Sequence, residues 1–553
     1  MIILTESSCT GKLNKLNRVC CKVSSFGNWF ILALSLLIFV LLALQSLLNT
    51  TIMYNAPEDP STVIFTHDNF YINLLCIAVV FICGLLFLRK LMEKINPKIF
   101  GASLLVYTFV LGLIWNLLTK NTPAHDSWCI TSAAESFAVN DYTPLILSEN
   151  DYFYNYPFQL GYAFLCEIAI RIFGDNAYFV LQIINILSSV AIAAALIVIA
   201  KLAFDSRKVT NFTIFFLFGC IQPVLFTTFH YGNLSGFAFS MWAVVFACLL
   251  IKKRKWYYIP LSAICIGIGS ILKTNSLIVL IAVCVILLLD FLKKFSVKNV
   301  IAIALSLVMG IGMNPLVIFQ YEQRADVSLG DGVPMILWLD MGLQETGNAN
   351  RPGWYNPEYT VLRYAYSEHD GEKAAESGWK DIKERAGELA GSASERTHFF
   401  TTKTLSQWND PLYMSIWVSE TRPSKIERGE FVRSMYTGSA GNAVLNFANF
   451  YQSLVFVFAA AGVFIILMKK KMRQNIFCAV LPLVFLGGFF YHLLFEAMPQ
   501  YNVTYFTLFI PLAAYGFSKL CDRCHDGFWA YLKTIFKKKK NIESTEPVSV
   551  PEN

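Results

Sequence analysis

The sequence predicts an all-α polytopic membrane protein with about twelve transmembrane helices, joined to a soluble insert of about 120 residues. Three observations predict it. The chain of 553 residues is 55% hydrophobic and only 15% charged, where a soluble domain carries roughly 25%. Apolar runs recur near 27–48, 71–88, 99–118, 178–200, 211–229, 234–251, 257–272, 276–292, 299–318, 446–468, 476–494 and 503–519. Lys and Arg gather in every second connection between these runs, as cytoplasmic loops do.

The order of elements follows from that pattern. Residues 1–26 form a basic, polar, cytoplasmic segment, with Lys12, Lys15, Arg18 and Lys22 before the first apolar run. That run, Trp29–Leu48, is longer than the apolar region of a cleaved secretory signal and has no small-residue cleavage site, so it reads as a retained signal anchor. A membrane domain spans 27–319. Basic clusters follow at Arg89–Lys98, Lys201–Lys208, Lys252–Lys255, Lys293–Lys298 and Lys469–Arg473, and the tail ends with Lys537–Lys540. The intervening loops 49–70 and 229–233 contain no Lys or Arg. Both termini are therefore placed in the cytoplasm. The 257–292 stretch is either two spans or a re-entrant pair.

Three regions fall on the outer side: the loop 119–177, the turn His230-Tyr231-Gly232-Asn233, and the insert 320–445. The insert has Gly/Pro turns and one polar helical stretch, Glu372–Arg396. The last three expected membrane helices and their loops occupy 446–519, followed by a basic cytoplasmic tail, 520–553, whose polar end from Asn541 is expected to be disordered. The 14 cysteines lie mostly inside apolar runs or basic segments and are absent from the insert. They read as small apolar core residues rather than a disulfide framework.

The first outer loop begins Thr122-Pro123-Ala124-His125-Asp126-Ser127-Trp128, directly after a membrane helix. A lone loop aspartate is ordinarily only solvated. A carboxylate fixed at the membrane boundary can also serve as general base toward a substrate held in lipid. What distinguishes Asp126 is its setting. Asn150-Asp151-Tyr152-Phe153-Tyr154-Asn155-Tyr156-Pro157-Phe158 is rich in aromatics and leads into an amphipathic helix, about 158–173, that pairs Glu167 with Arg171 at i,i+4. That helix is expected to lie on the outer surface.

This arrangement resembles a GT-C-fold membrane glycosyltransferase, of the family that contains protein O-mannosyltransferases and lipid A aminoarabinose transferases. Members place an aspartate just outside an early membrane helix and follow it with a Tyr/Pro-rich stretch, resembled here by Tyr154-Asn155-Tyr156-Pro157. Gly269-Ser270-Ile271-Leu272-Lys273-Thr274-Asn275 resembles the family's Lys-containing turn between two helices. Met341-Gly342-Leu343, Pro352-Gly353-Trp354-Tyr355-Asn356 and Glu496-Ala497-Met498-Pro499-Gln500-Tyr501 are similar to segments of cell-surface-polysaccharide members from Gram-positive bacteria. The resemblance covers roughly residues 99–519.

The resemblance implies inverting transfer of a sugar from a polyprenyl-phosphate donor to an extracytoplasmic acceptor: a cell-surface glycan, a lipid or a protein. Asp126 would be the base, and Lys273 would contact the donor phosphate. Tyr154, Tyr156, Pro157, Glu496, Gln500 and Tyr501 would shape the donor site, and the insert would help select the acceptor. Two positions depart from the family pattern. Asn233 stands where a second acidic residue is common, and Gln500 where Arg is common. His125 and Asn233 are the candidate ligands for a divalent metal, with Asn the weaker one; His125, His230 and His492 share no metal-ligand spacing. Cys521-Asp522-Arg523-Cys524-His525 has the spacing of a c-type haem site, but it lies on the cytoplasmic side, so no haem is expected. No nucleic-acid partner is expected.

Two other function classes fit the sequence less well. A polysaccharide polymerase or ligase of unrelated fold would place arginines at catalytic positions, yet Arg324, Arg351, Arg363, Arg385, Arg396, Arg422, Arg428 and Arg433 are scattered through the insert without a motif. A transporter would show mid-membrane charges and two-fold repeats, and neither is visible.

Overall fold

The computed structural model describes residues 6–55, 61–146, 152–345 and 350–543. Among these, nine helices are long and apolar enough to cross a membrane: Asn17–Leu48, Phe70–Lys94, Pro97–Thr119, Pro157–Phe204, Asn233–Lys253, Ser276–Lys293, Val297–Ala325, Ser439–Met468 and Ile476–Leu494. The pair Arg207–Gly219 and Gln222–Thr228, bent by 44°, makes a tenth if it is one span.

Three of the twelve expected runs fall outside the nine: 211–229 is the bent pair, 257–272 is short and 503–519 is divided. The helix expected on the outer surface at 158–173 is not detached. It joins the following run across a single turn, Gly174–Asn176, and Gly161 brings it against the Ile271 carbonyl, 2.1 Å from where a Cβ would stand. Tyr258–Leu272 has only 15 residues, about 22 Å of helix, short of a ~30 Å core. The last apolar run is divided between Pro499–Phe506 and the start of the long helix Phe509–Glu543.

The architecture is not purely helical. Asn49–Tyr54 and Thr62–His67 form an antiparallel hairpin in register from Asn49↔His67 to Tyr54↔Thr62. Both strands are dense in Thr, Ile, Val and aromatic residues, which favour extended backbone. The hairpin is anchored where Thr51 N donates to the Asn409 carbonyl at 2.9 Å and Thr51 Oγ1 to the Leu405 carbonyl at 2.8 Å.

The membrane helix Val297–Ala325 runs several residues into the stretch assigned to the insert. The single polar helix expected there is two, Gly371–Gly391 and Ala393–Trp408, divided at Ser392, whose hydroxyl caps the second by accepting from Glu395 N. Val333, Leu337, Tyr364 and Ala374 give the insert a small core, and Tyr154 and Tyr156 pack on it. The cysteines whose side chains are described are free.

The basic connections meet at one end of the bundle. Cys21 contacts the Lys293 carbonyl, and Lys293 Nζ donates to the Gln474 carbonyl at 2.6 Å. Asn475 reaches the Ala203 carbonyl, and Arg207 reaches those of Lys94 and Ile95. Lys208 pairs with both Glu93 and Asp522 at 2.6 Å. Asp522 belongs to the haem-like Cys521–His525 stretch, which is helical here, with Cys521 buried.

Candidate active site

Away from those basic connections, the remaining loops enclose a cavity of about 1340 Å³. Asp126, His125, Tyr156, Lys273, Glu496, Gln500 and Tyr501 all line it. Asp126 opens the helix Asp126–Ala138, immediately after His125 at φ 52°. Its carboxylate thus sits at the positive end of a helix dipole and is exposed to the cavity.

The central contact joins Asp126 to Tyr231. The Tyr231 hydroxyl donates to Asp126 Oδ2 at 3.0 Å and accepts from Gln159 Nε2 at 2.6 Å. Gly232 makes this possible. It holds φ 76°, and a Cβ there would stand 2.3 Å from the Leu272 carbonyl, so only glycine lets the turn lie against the end of Tyr258–Leu272. The same approach brings Lys273, the residue after Leu272, onto the Tyr231 ring, with Nζ 3.9 Å from its centroid. A carboxylate and a cation therefore share one tyrosine, the carboxylate at its hydroxyl and the cation over its face.

A second cluster adjoins it. Tyr501 Oη donates to Glu496 Oε1 at 2.9 Å, and the Tyr501 ring stacks on His492 at 5.1 Å. His492 Nδ1 lies 3.0 Å from the Glu496 carbonyl, which can only accept. Nδ1 therefore carries the proton, leaving Nε2 to accept from Asn275 at 3.5 Å. Desolvation pushes the Glu496 carboxyl up to about 7, with Asp126 adding to the rise and Tyr501, Lys273 and Lys403 opposing it. Desolvation also pulls Lys273 down to about 8, against the attraction of Glu496 and Asp126.

Lys403 ties the cavity to the insert. It is fully buried on Ala393–Trp408, and its ammonium donates to the carbonyls of Gly342 and, at 2.9 Å, Phe495. Burial pulls it down to about 7, offset in part by Glu496. Ala497 N donates to the Gly353 carbonyl at 2.9 Å. The segments 341–343, 352–356 and 496–501, far apart in sequence, thus converge around one lysine.

Other candidate residues stand elsewhere. Tyr154 faces the insert, 5.1 Å from the His369 ring, and Pro157 is buried; neither lines the cavity. Tyr156 meets Tyr355, with their hydroxyls 3.4 Å apart. Asn233 Nδ2 reaches the Gln500 carbonyl at 3.4 Å, so the two departures from the family pattern contact each other. His230 is buried against the Tyr178 carbonyl. Among the described residues no three His, Cys, Asp or Glu side chains gather into a metal-binding set. Asp151 lies outside the described residues.

Residues 157–318 match the family model for dolichyl-phosphate-mannose-protein mannosyltransferases. No curated protein matches the chain. The matched stretch includes Gln159, Tyr231 and Lys273. Asp126 precedes it, and Lys403, Arg422 and Glu496 follow it. Tyr231, Gln159, Arg422 and Lys403 were not singled out from sequence. The available signals were Tyr231 beside a glycine in a four-residue turn, and Lys403 at i+4 from Phe399 on a helix with no other lysine.

Proposed function

We propose that this protein transfers a sugar, with inversion, from a polyprenyl-phosphate donor to an extracytoplasmic acceptor of the cell surface. The observation that carries the reading is the Asp126–Tyr231–Lys273 unit inside a large cavity, in a chain whose 157–318 stretch is similar to a lipid-phosphate-dependent mannosyltransferase family. The gathering of basic loops at the far end supports an outward-facing site.

In the proposed step the acceptor hydroxyl oxygen attacks the anomeric carbon, and its proton passes to Asp126. The bond from that carbon to the phosphate oxygen breaks, and polyprenyl phosphate leaves with its charge facing Lys273. Gln159 and Tyr231 position the base. Tyr156 and Tyr501 form cavity walls for donor and sugar, Tyr154 and Pro157 support that wall from behind, and Glu496 and Gln500 flank Lys273.

The test is sugar transfer in membranes at matched protein levels. Asp126→Asn keeps size and most hydrogen bonding but cannot take a proton, and loss of a general base costs about 10²–10⁴ in rate. Asp141→Asn and Asp151→Asn, in the same loop, are the controls and should stay near normal. Near-normal turnover by Asp126→Asn would remove the proposed base and this mechanism with it.

A further inference from the structure

Besides Lys273, Arg351 and Arg422 line the cavity, and the proposed transfer step uses neither arginine. Arg422 follows the short helix Ser415–Glu420 in the insert; it lines the cavity yet is only 5% exposed. One end of its guanidinium donates to the Val418 carbonyl at 3.1 Å and to Thr421 Oγ1 at 3.3 Å. Its Nε is buried with no partner among the described residues. A buried donor left unpaired costs free energy unless something binds it. The guanidinium lies 4.5 Å from the Phe229 ring, and Phe229 stacks on Tyr231 at 5.2 Å. Arg422 and Lys273 therefore serve one aromatic pair, each over its own ring.

The two cations differ in what balances them. Lys273 has both Glu496 and Asp126 as carboxylate neighbours, whereas Arg422 has Asp126. They also differ in origin. Lys273 stands in the turn between two apolar helices, where a lipid phosphate arrives, and Arg422 belongs to the insert, outside every candidate span. A planar fork with a spare donor suits an oxyanion better than a neutral hydroxyl.

We infer that Arg422 forms an anion subsite for the acceptor, so that the sugar is delivered to a glycan bearing a phosphate or carboxylate beside the reacting hydroxyl. This deepens the glycosyl-transfer reading and rests on it for the word acceptor.

The experiment uses the full chain in nanodiscs, with the cavity tryptophans Trp338, Trp354 and Trp417 reporting binding. The lipid probe is undecaprenyl phosphate. The soluble probes are glycerol phosphate and glucuronate, with glycerol and glucose as their neutral counterparts. One or both soluble anions should saturate the lipid-loaded protein, and the neutral counterparts should not; which anion binds identifies the acceptor's charged group. Arg422→Gln should weaken that binding at least about tenfold and leave lipid affinity within about twofold, while Lys273→Ala does the reverse. Arg422→Lys should restore part of the soluble-anion affinity, and an unchanged melting temperature separates lost binding from lost folding. The inference is overturned if neither soluble anion binds, or if Arg422→Gln weakens the lipid probe instead. The readout needs no turnover, so it and the Asp126 transfer assay fail independently.

Discussion

Tyr231→Phe isolates the contact on which the site turns. The substitution removes one oxygen and leaves the ring, so the stack on Phe229 and the Lys273 contact at 3.9 Å persist. It deletes two hydrogen bonds, one donated to Asp126 at 3.0 Å and one accepted from Gln159 at 2.6 Å. A hydrogen bond to a charged group contributes about 1.5–3 kcal/mol, so kcat/KM should fall roughly ten- to hundredfold. The donor requirement should change little, because the cation remains in place. Tyr231 acts through Asp126, so the double variant with Asp126→Asn should be no slower than Asp126→Asn alone. The assay is transfer kinetics in membranes, with donor and acceptor varied separately. Near-wild-type kcat/KM in Tyr231→Phe, or fully additive losses in the double variant, would refute the positioning role.

Two further outcomes bear on charge and sidedness. Donor KM should rise between pH 6 and 9. As pH increases through about 7, Glu496 ionises beside Lys273 and competes with the lipid phosphate, and through about 8 Lys273 loses its own charge. In Glu496→Gln the first limb should vanish, and the Lys273 limb should move below 8 because a carboxylate that raised it is gone; a profile identical to wild type would sink this account. For sidedness, single cysteines replacing Asp331 and Thr401 should label in intact cells, and those replacing Lys253 and Lys470 only after permeabilisation, so a reversed pattern would place the cavity in the cytoplasm.

The long helices were legible because about twenty apolar residues have few other uses. Their ends were legible where a cap is encoded locally, as at Asn96, which precedes Pro97 and accepts from Lys98 N. The exact number of spans was not, because runs as apolar as 257–272 and 503–519 prove short or divided once folded, and the course of the chain near 174 depends on packing. Gly174 reads equally well as the end of a surface helix or as a kink within one long element, and the choice rests on Gly161 meeting a carbonyl more than a hundred residues away. The hairpin 49–67 was passed over because its strands are short and its stability comes from Leu405 and Asn409, partners the local sequence does not announce.

The site divides along the same line. Asp126 and Lys273 could be singled out because a charge beside an apolar run is costly and therefore informative, and Glu496 because its segment resembles a family one. Tyr231, Gln159 and Arg422 could not, because a tyrosine, a glutamine or one arginine among eight carries no such penalty until the fold buries it. Lys403 is the instructive middle case. A fully buried ammonium needs compensation, and it receives two carbonyls and a nearby carboxylate. Because those carbonyls come from the insert and from the turn before Glu496, neutralising Lys403 would loosen the insert's hold on the cavity. The lysine that anchors the insert is thus electrostatically coupled, through Glu496, to the lysine proposed to meet the donor phosphate.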